Sequence, residues 1–113
     1  MRGKEYLTKP GQYTSVYTGG SSWASGLVVV RTLPNSIGFS RYGFSVSRRI
    51  GTAVVRNKVK RRLREITRQL PIKAGWDIVF IARQAAATAK YAELKSIIEN
   101  LLKKAGFLET PLN

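Results

Sequence analysis

The stretch SRRIGTAVVRNKVKRRLREITRQL, residues 47–70, determines how the rest of the chain can be arranged. Gly51 interrupts it, and Pro71, which cannot continue a helix, follows it. Between them the spacing predicts a helix from Val54 to Leu70. Its apolar side chains recur at helical period and form one narrow stripe, which suits packing against a sheet; they are Val55, Val59, Leu63, Ile66 and Leu70.

The same stretch carries nine Lys or Arg residues and a single acid, Glu65. A helix with a merely solvated face usually interleaves both signs of charge, and this one does not. The whole chain has a formal net charge of +14, which implies a polyanionic partner. Arginine outnumbers lysine here, and guanidinium suits bidentate phosphate contact. The helix is therefore predicted to bind nucleic acid, in preference to a membrane surface.

The elements around this helix predict an α+β fold. A short helix begins at Pro10, and a β-branched run from Trp23 to Leu33 predicts a strand, or two strands if the chain breaks near Gly26. Residues 41–47 alternate as a strand hairpinned to that run, and GWDIVFIA, residues 75–82, forms a buried strand. Residues 88–107 contain a second amphipathic helix, ended by Gly106. The order is α-β-β(-β)-α-β-α.

These elements predict one small sheet with helices on one side, a two-layer sandwich. We expect a flexible segment over residues 1–9, a single domain over 10–108 and a tail over 109–113. There is no signal-like segment and no apolar run long enough to span a bilayer, so we expect a soluble, cytoplasmic protein.

Residue types limit the chemistry. The chain has no Cys and no His, which excludes disulfides, thiolate metal sites and the commonest general base. Its six acids fall on no shared face that would pair two carboxylates. We therefore predict no catalytic residue, no small-molecule cofactor and no identifiable metal ligand. Asn57, early in the basic helix, either caps it locally or reaches a ligand.

Residues 43–65, GFSVSRRIGTAVVRNKVKRRLRE, carry a resemblance to a known family. This run closely resembles the signature of the bacterial ribonuclease P protein family, and the flanking elements fit along nearly the whole chain. The resemblance implies an α-β sandwich with a left-handed βαβ crossover. It also implies a ribonucleoprotein in which a catalytic RNA, with magnesium ions, removes the 5′ leader of precursor tRNA while the protein binds both RNAs.

Carried over by position, the resemblance implies two groups of site residues. The RNA-binding helix would use Arg56, Asn57, Lys58, Lys60, Arg61, Arg64 and Arg68. A leader-binding cleft would use Tyr13, Tyr17, Arg31, Ser45, Ser47, Arg48 and Arg49. Two residues depart from the family pattern: Lys58 stands where Arg is frequent, and Arg31 where an aromatic residue occurs, so Arg31 would hold a phosphate.

Two alternatives remain open at this level. Tyr13 and Tyr17, four apart on one helix face, fit a core contact as well as a stacking surface. The positive charge also fits a non-enzymatic structural RNA-binding protein of the ribosomal type.

Overall fold

A computed structural model describes residues 6–109. In chain order the elements are α1 (Pro10–Gly19), β1 (Ser21–Ala24), β2 (Val28–Pro34), β3 (Arg41–Ser45), α2 (Ala53–Gln69), β4 (Trp76–Ala82) and α3 (Tyr91–Ala105). Short 3₁₀ turns at Arg48–Ile50 and Gln84–Ala87 precede and follow the α2–β4 unit. The α+β class and the extra strand are confirmed.

The four strands form one mixed sheet in the order β1-β2-β4-β3. β1 and β2 form a hairpin because Ser25 turns the chain: its hydroxyl donates to the Val28 carbonyl and accepts from the Leu27 and Val28 amides. The expected hairpin between β2 and β3 is wrong. β2 already has β1 on one edge and β4 on the other, so β3 pairs in parallel with β4 instead.

Parallel neighbours need a crossover, and α2 supplies it between β3 and β4. The Thr52 hydroxyl caps the helix by accepting from the Val55 amide, and Val59, Leu63 and Ile66 are buried against the sheet. The predicted stripe is thereby confirmed. The left hand of this crossover stays a prediction from the resemblance.

The main core lies between one sheet face and the pair α2 and α3. Phe80 is fully buried at its centre, and α3 contributes Leu94, Ile98 and Leu102. α3 ends where Gly106 takes the left-handed conformation at φ 85°, as its sequence position predicted. Within residues 6–109 no helix is long and apolar enough to cross a membrane.

A smaller core covers the opposite sheet face. Val16 of α1 packs there with Leu7 and Val79. The expectation that all helices lie on one side is therefore wrong for α1, because alternate β4 side chains point to opposite faces and Val79 needs its own cover. Leu7 is buried and its amide donates to the Tyr42 carbonyl, so this core includes a residue that precedes Pro10. The expected boundaries at residues 9 and 108 stay predictions.

Candidate nucleic-acid interface

The basic residues of α2 are left without internal counter-charges. Lys58, Arg61, Arg64 and Arg68 are exposed, and Arg56 and Lys60 are half-buried. Across residues 6–109, no carboxylate lies within the 4.0 Å of a salt bridge to any of them. These cations are therefore available to an external anion, as the sequence predicted.

The carboxylate that the fold does bury is occupied elsewhere. Asp77, at the start of β4, accepts two hydrogen bonds from Arg41, at 2.9 Å from Nε and 2.7 Å from Nη2. The Asn35 amide donates a third, at 2.9 Å. The bond to Asp77 raises the pKa of Arg41. This cluster holds the β2 and β3 ends to β4, and it removes Arg41 from the candidate interface.

Arg62 differs from its neighbours on α2. Its guanidinium Nη1 donates to the Ala89 carbonyl at 3.0 Å, on the side of α2 facing the segment before α3. This hydrogen bond gives Arg62 a structural role, although it lies in the middle of the cationic run.

Asn57 lies in the second turn of α2 and is exposed. Thr52 performs the capping, so the local-cap interpretation of Asn57 is wrong. Its amide lies on the outer surface among the cations, where it can contact a ligand.

The two α1 rings are neighbours with different exposure. Their centroids are 6.5 Å apart and the planes are tilted by 54°. Tyr17 is 37% exposed, whereas Tyr13 is half-buried. The main α1 core contact is Val16, so Tyr17 has a ring surface to offer a ligand.

Tyr13 lies directly on β3, and this contact explains a glycine in the signature. A Cβ atom at Gly43 would be 2.6 Å from Tyr13 Cε2 and 2.9 Å from its hydroxyl oxygen. Only glycine lets the ring approach the strand so closely. Burial raises the pKa of Tyr13, while a backbone hydrogen bond at Phe44 and the nearby Arg64 charge act in the opposite direction.

Arg31 reaches the end of α1 from the adjacent strand. Its Nη2 donates to the Tyr17 carbonyl at 2.6 Å, which satisfies a carbonyl of the last helical turn. Arg31 thus holds the backbone beneath the Tyr17 ring. It lies at the predicted cleft, and part of its hydrogen-bonding capacity is used inside the protein.

The predicted serines and arginines lie at the end of β3 and in the turn that leads into α2. Alternation along β3 places Ser45 on the α1 face together with Gly43. Ser47 is exposed, and its carbonyl accepts from the Ile50 amide to form the 3₁₀ turn. That turn presents the exposed Arg48 and Arg49 immediately before α2. Of the predicted cleft residues, Tyr13 shares a cavity with the α2 cations Lys60 and Arg64, and the grouping of the others stays a prediction.

A groove of about 300 Å³, here called the Tyr13 groove, lies at the outer edge of β3 and is lined by Tyr13 of α1 together with Lys60 and Arg64 of α2. Phe44, whose ring lies on the other face of β3 from Tyr13, also lines this groove. Sequence reasoning missed its further lining by Tyr6, Leu7, Tyr42 and Phe44. The alternation of Tyr42 and Phe44 indicated only a core face, and Phe44 does stack on Phe80, with centroids 5.8 Å apart.

Comparison with known proteins identifies the family. The family model described as Ribonuclease P matches residues 1–106. The chain belongs to the ribonuclease P protein family. A ribonuclease P protein component from Dehalococcoides mccartyi (strain CBDB1) is 46% identical over 108 residues, which cover 96% of this chain and 90% of that protein. One from Roseiflexus castenholzii is 42% identical over 106 residues, covering 91% and 87%.

Solved ribonuclease P proteins share the fold. A Staphylococcus aureus RNase P protein mutant with defective mRNA degradation activity superposes with a TM-score of 0.88 at 35% identity, covering 96% of this chain and 93% of that chain. The RNase P protein from Thermotoga maritima gives 0.81 at 32% identity, covering 88% and 96%.

Membership in the ribonuclease P protein family decides between the two RNA-binding hypotheses. The protein is the RNA-binding protein subunit of ribonuclease P and takes part in tRNA processing. The ribosomal-type alternative is not favoured. The unpaired cations of α2 and the Tyr13 groove are consistent with this role.

Proposed function

We propose that this subunit holds two RNAs together. The cationic face of α2 binds the catalytic RNA of ribonuclease P, and the cleft between α1 and β3 binds the 5′ leader of precursor tRNA. The RNA and its magnesium ions cleave the strand, a hydrolysis that the protein alone does not perform. The protein's contribution is charge neutralisation and positioning, and we expect it in the cytoplasm.

The observation that carries this proposal is the adjacency of two different surfaces. α2 presents cations that no carboxylate in residues 6–109 neutralises, which is the requirement for binding phosphates with release of counterions. The Tyr13 ring shares a groove with Lys60 and Arg64, and Tyr17 is its neighbour on α1. Aromatic rings next to cations are typical of single-strand binding sites. One surface suits a structured RNA and the other an unpaired leader.

In this proposal the magnesium ions are bound by the RNA. The described part of the chain brings no three His, Cys, Asp or Glu side chains together in a group that could hold a metal ion. Asp77 is already bound to Arg41 and Asn35. The donor set of residues 6–109 therefore does not fit a resident metal, and no step is assigned to a protein-bound ion.

Reconstitution tests the proposal. The purified protein is mixed with the ribonuclease P RNA of the same source and assayed on precursor tRNA across a magnesium titration. We expect no cleavage by protein alone, and leader removal by the complex at lower magnesium than RNA alone requires. Robust cleavage by RNA-free protein would refute the division of labour.

Crosslinking tests the assignment of surfaces. A photoreactive group attached near Tyr17 should capture a leader nucleotide in the holoenzyme, and one near Arg61 should capture the catalytic RNA. A protein whose Tyr17 position crosslinks only to the catalytic RNA has no leader cleft on α1.

A further inference from the structure

A larger cavity, of about 480 Å³, lies beside the Tyr13 groove. It is here called the Arg68 pocket, because Arg68 from the last turns of α2 lines it together with the rings of Tyr6, Phe39 and Tyr42. Tyr6 and Tyr42 line both cavities, so the Arg68 pocket adjoins the Tyr13 groove along the edge of β3. Its volume is within the range of small-ligand sites, and one nucleotide fits.

One face of α2 runs along both cavities. Lys60 and Arg64 line the Tyr13 groove, and Arg68 lines the pocket beyond it. The three are spaced four residues apart, so they form a row about 12 Å long on one side of the helix. A row of cations facing a row of aromatic rings is the composition of a path for single-stranded RNA.

The two aliphatic hydroxyl groups of the Arg68 pocket are committed to the fold, and its other two hydroxyl groups are the phenols of Tyr6 and Tyr42. Ser40 Oγ donates to the Lys73 carbonyl at 2.6 Å, and Thr67 Oγ1 donates to the Arg64 carbonyl at 2.8 Å. The pocket thus offers ring faces and a guanidinium more than it offers groups to read a base edge. Its ligand is recognised by stacking and charge, with little dependence on base identity.

We propose that the Arg68 pocket binds an unpaired nucleotide of the precursor 5′ leader, with the base against the rings and a phosphate on Arg68. This inference rests on the proposed function, because the leader must first occupy the Tyr13 groove that leads into the pocket. Since the leader reaches the Arg68 pocket through the Tyr13 groove, the nucleotide in the pocket is farther along the leader than the nucleotide at Tyr13.

Leader length supplies the test. Precursor tRNAs with leaders extended one nucleotide at a time are titrated against the reconstituted holoenzyme. For the native protein, affinity for the precursor should rise at one leader length, when the leader fills the Tyr13 groove, and again at a greater length, when it reaches the Arg68 pocket. These are called the early and the later step. Arg68→Ala should abolish the later step, an affinity loss of about fivefold or more on long leaders. Measured on preassembled holoenzyme, affinity for short leaders should stay unchanged.

Phe39→Leu separates stacking from folding, since it keeps an apolar side chain and removes the ring. It should lose the later step as well, and its short-leader affinity reports within the same variant that the domain is folded. With an abasic nucleotide at the leader position that gives the later step, the native protein and Phe39→Leu should bind precursor tRNA with equal affinity. Lys104→Ala, which removes an exposed α3 cation outside both cavities, is the matched control and should retain both steps.

The outcomes keep the two proposals distinguishable. If Tyr17→Ala weakens binding and Arg68→Ala matches the native protein at every leader length, the pocket assignment is overturned and the leader cleft stands. An equal loss for Arg68→Ala at all leader lengths assigns Arg68 to the catalytic RNA alone and also overturns the pocket assignment. If Tyr17→Ala has no effect at any length, the leader cleft itself fails.

Discussion

The contact between Gly43 and Tyr13 leads to a prediction whose sign depends on the background. Gly43 has no positive φ, so its backbone accepts alanine, and alanine in a strand interior normally gains roughly 0.5–1 kcal/mol over glycine. Here the new Cβ would lie 2.6 Å from Tyr13 Cε2. Ordinary carbon contacts are about 3.5–4.0 Å, so the ring must move by roughly 1 Å. Overpacking of this kind costs about 1–3 kcal/mol. We expect Gly43→Ala to lower the free energy of unfolding by about 1–2 kcal/mol net.

Removing the ring should reverse this effect. In a Tyr13→Ala background the three atoms nearest to the added methyl group are absent, and Gly43→Ala should then stabilise the protein by about 0.5–1 kcal/mol. The coupling energy of the double-mutant cycle is measured by urea unfolding, with an unchanged m-value showing that the states compared are the same. Gly43→Ala should also weaken binding of precursor tRNA while leaving binding of the catalytic RNA intact. An equal cost of Gly43→Ala in both backgrounds would show that Tyr13 is not what requires glycine.

Three further substitutions test separate parts of the structure. Arg61→Ala should weaken binding of the catalytic RNA and flatten its log–log salt dependence by about one unit, as loss of one phosphate contact does; an unchanged slope removes Arg61 from the interface. Tyr17→Ala should weaken binding of precursor tRNA by about 1–3 kcal/mol with Tyr17→Phe near native, and unchanged affinity with a lower stability would return Tyr17 to the core. Asp77→Asn should lower the free energy of unfolding by about 2 kcal/mol in urea titrations without altering RNA affinity; a selective loss of RNA binding would contradict its structural assignment.

Local patterns in the sequence predicted the elements well, because each depends on a short window. The α2 stripe, the break near Gly26 and the end of α3 at Gly106 all follow from side-chain periodicity or glycine chemistry within a few residues. Local patterns do not predict which strand pairs with β3. Adjacent strands commonly form hairpins, and only the competition of β1 and β4 for both edges of β2 excludes one here.

The position of α1 was unpredictable for a related reason. α1 buries a single residue, Val16, and so lacks the broad apolar stripe that would indicate which face it covers. Its placement depends on Val79 and Leu33, strand residues distant in sequence whose side chains need cover on that face. Leu7, from the polar-looking segment before α1, completes the same small core.

For the candidate site, charge was predictable and contacts were not. The cations of α2 stay on the surface because the sequence supplies too few acids to neutralise them. In contrast, the bond from Arg31 to the Tyr17 carbonyl and the bond from Arg62 to the Ala89 carbonyl join residues 14 and 27 positions apart. Such pairs form only when the sheet and the crossover bring them together, so composition alone treats both arginines as free phosphate ligands.

The arrangement of cations on α2 links the stability of the free protein to its partner. Arg56, Lys60, Arg64 and Arg68 form three successive like-charge pairs at i, i+4, each destabilising by about 0.2–0.5 kcal/mol. No carboxylate in the described residues relieves them. RNA phosphates along the same row would convert that repulsion into attraction and release counterions. A helix built for solubility alone gains nothing from such a row, whereas a helix that lies between two polyanions requires it.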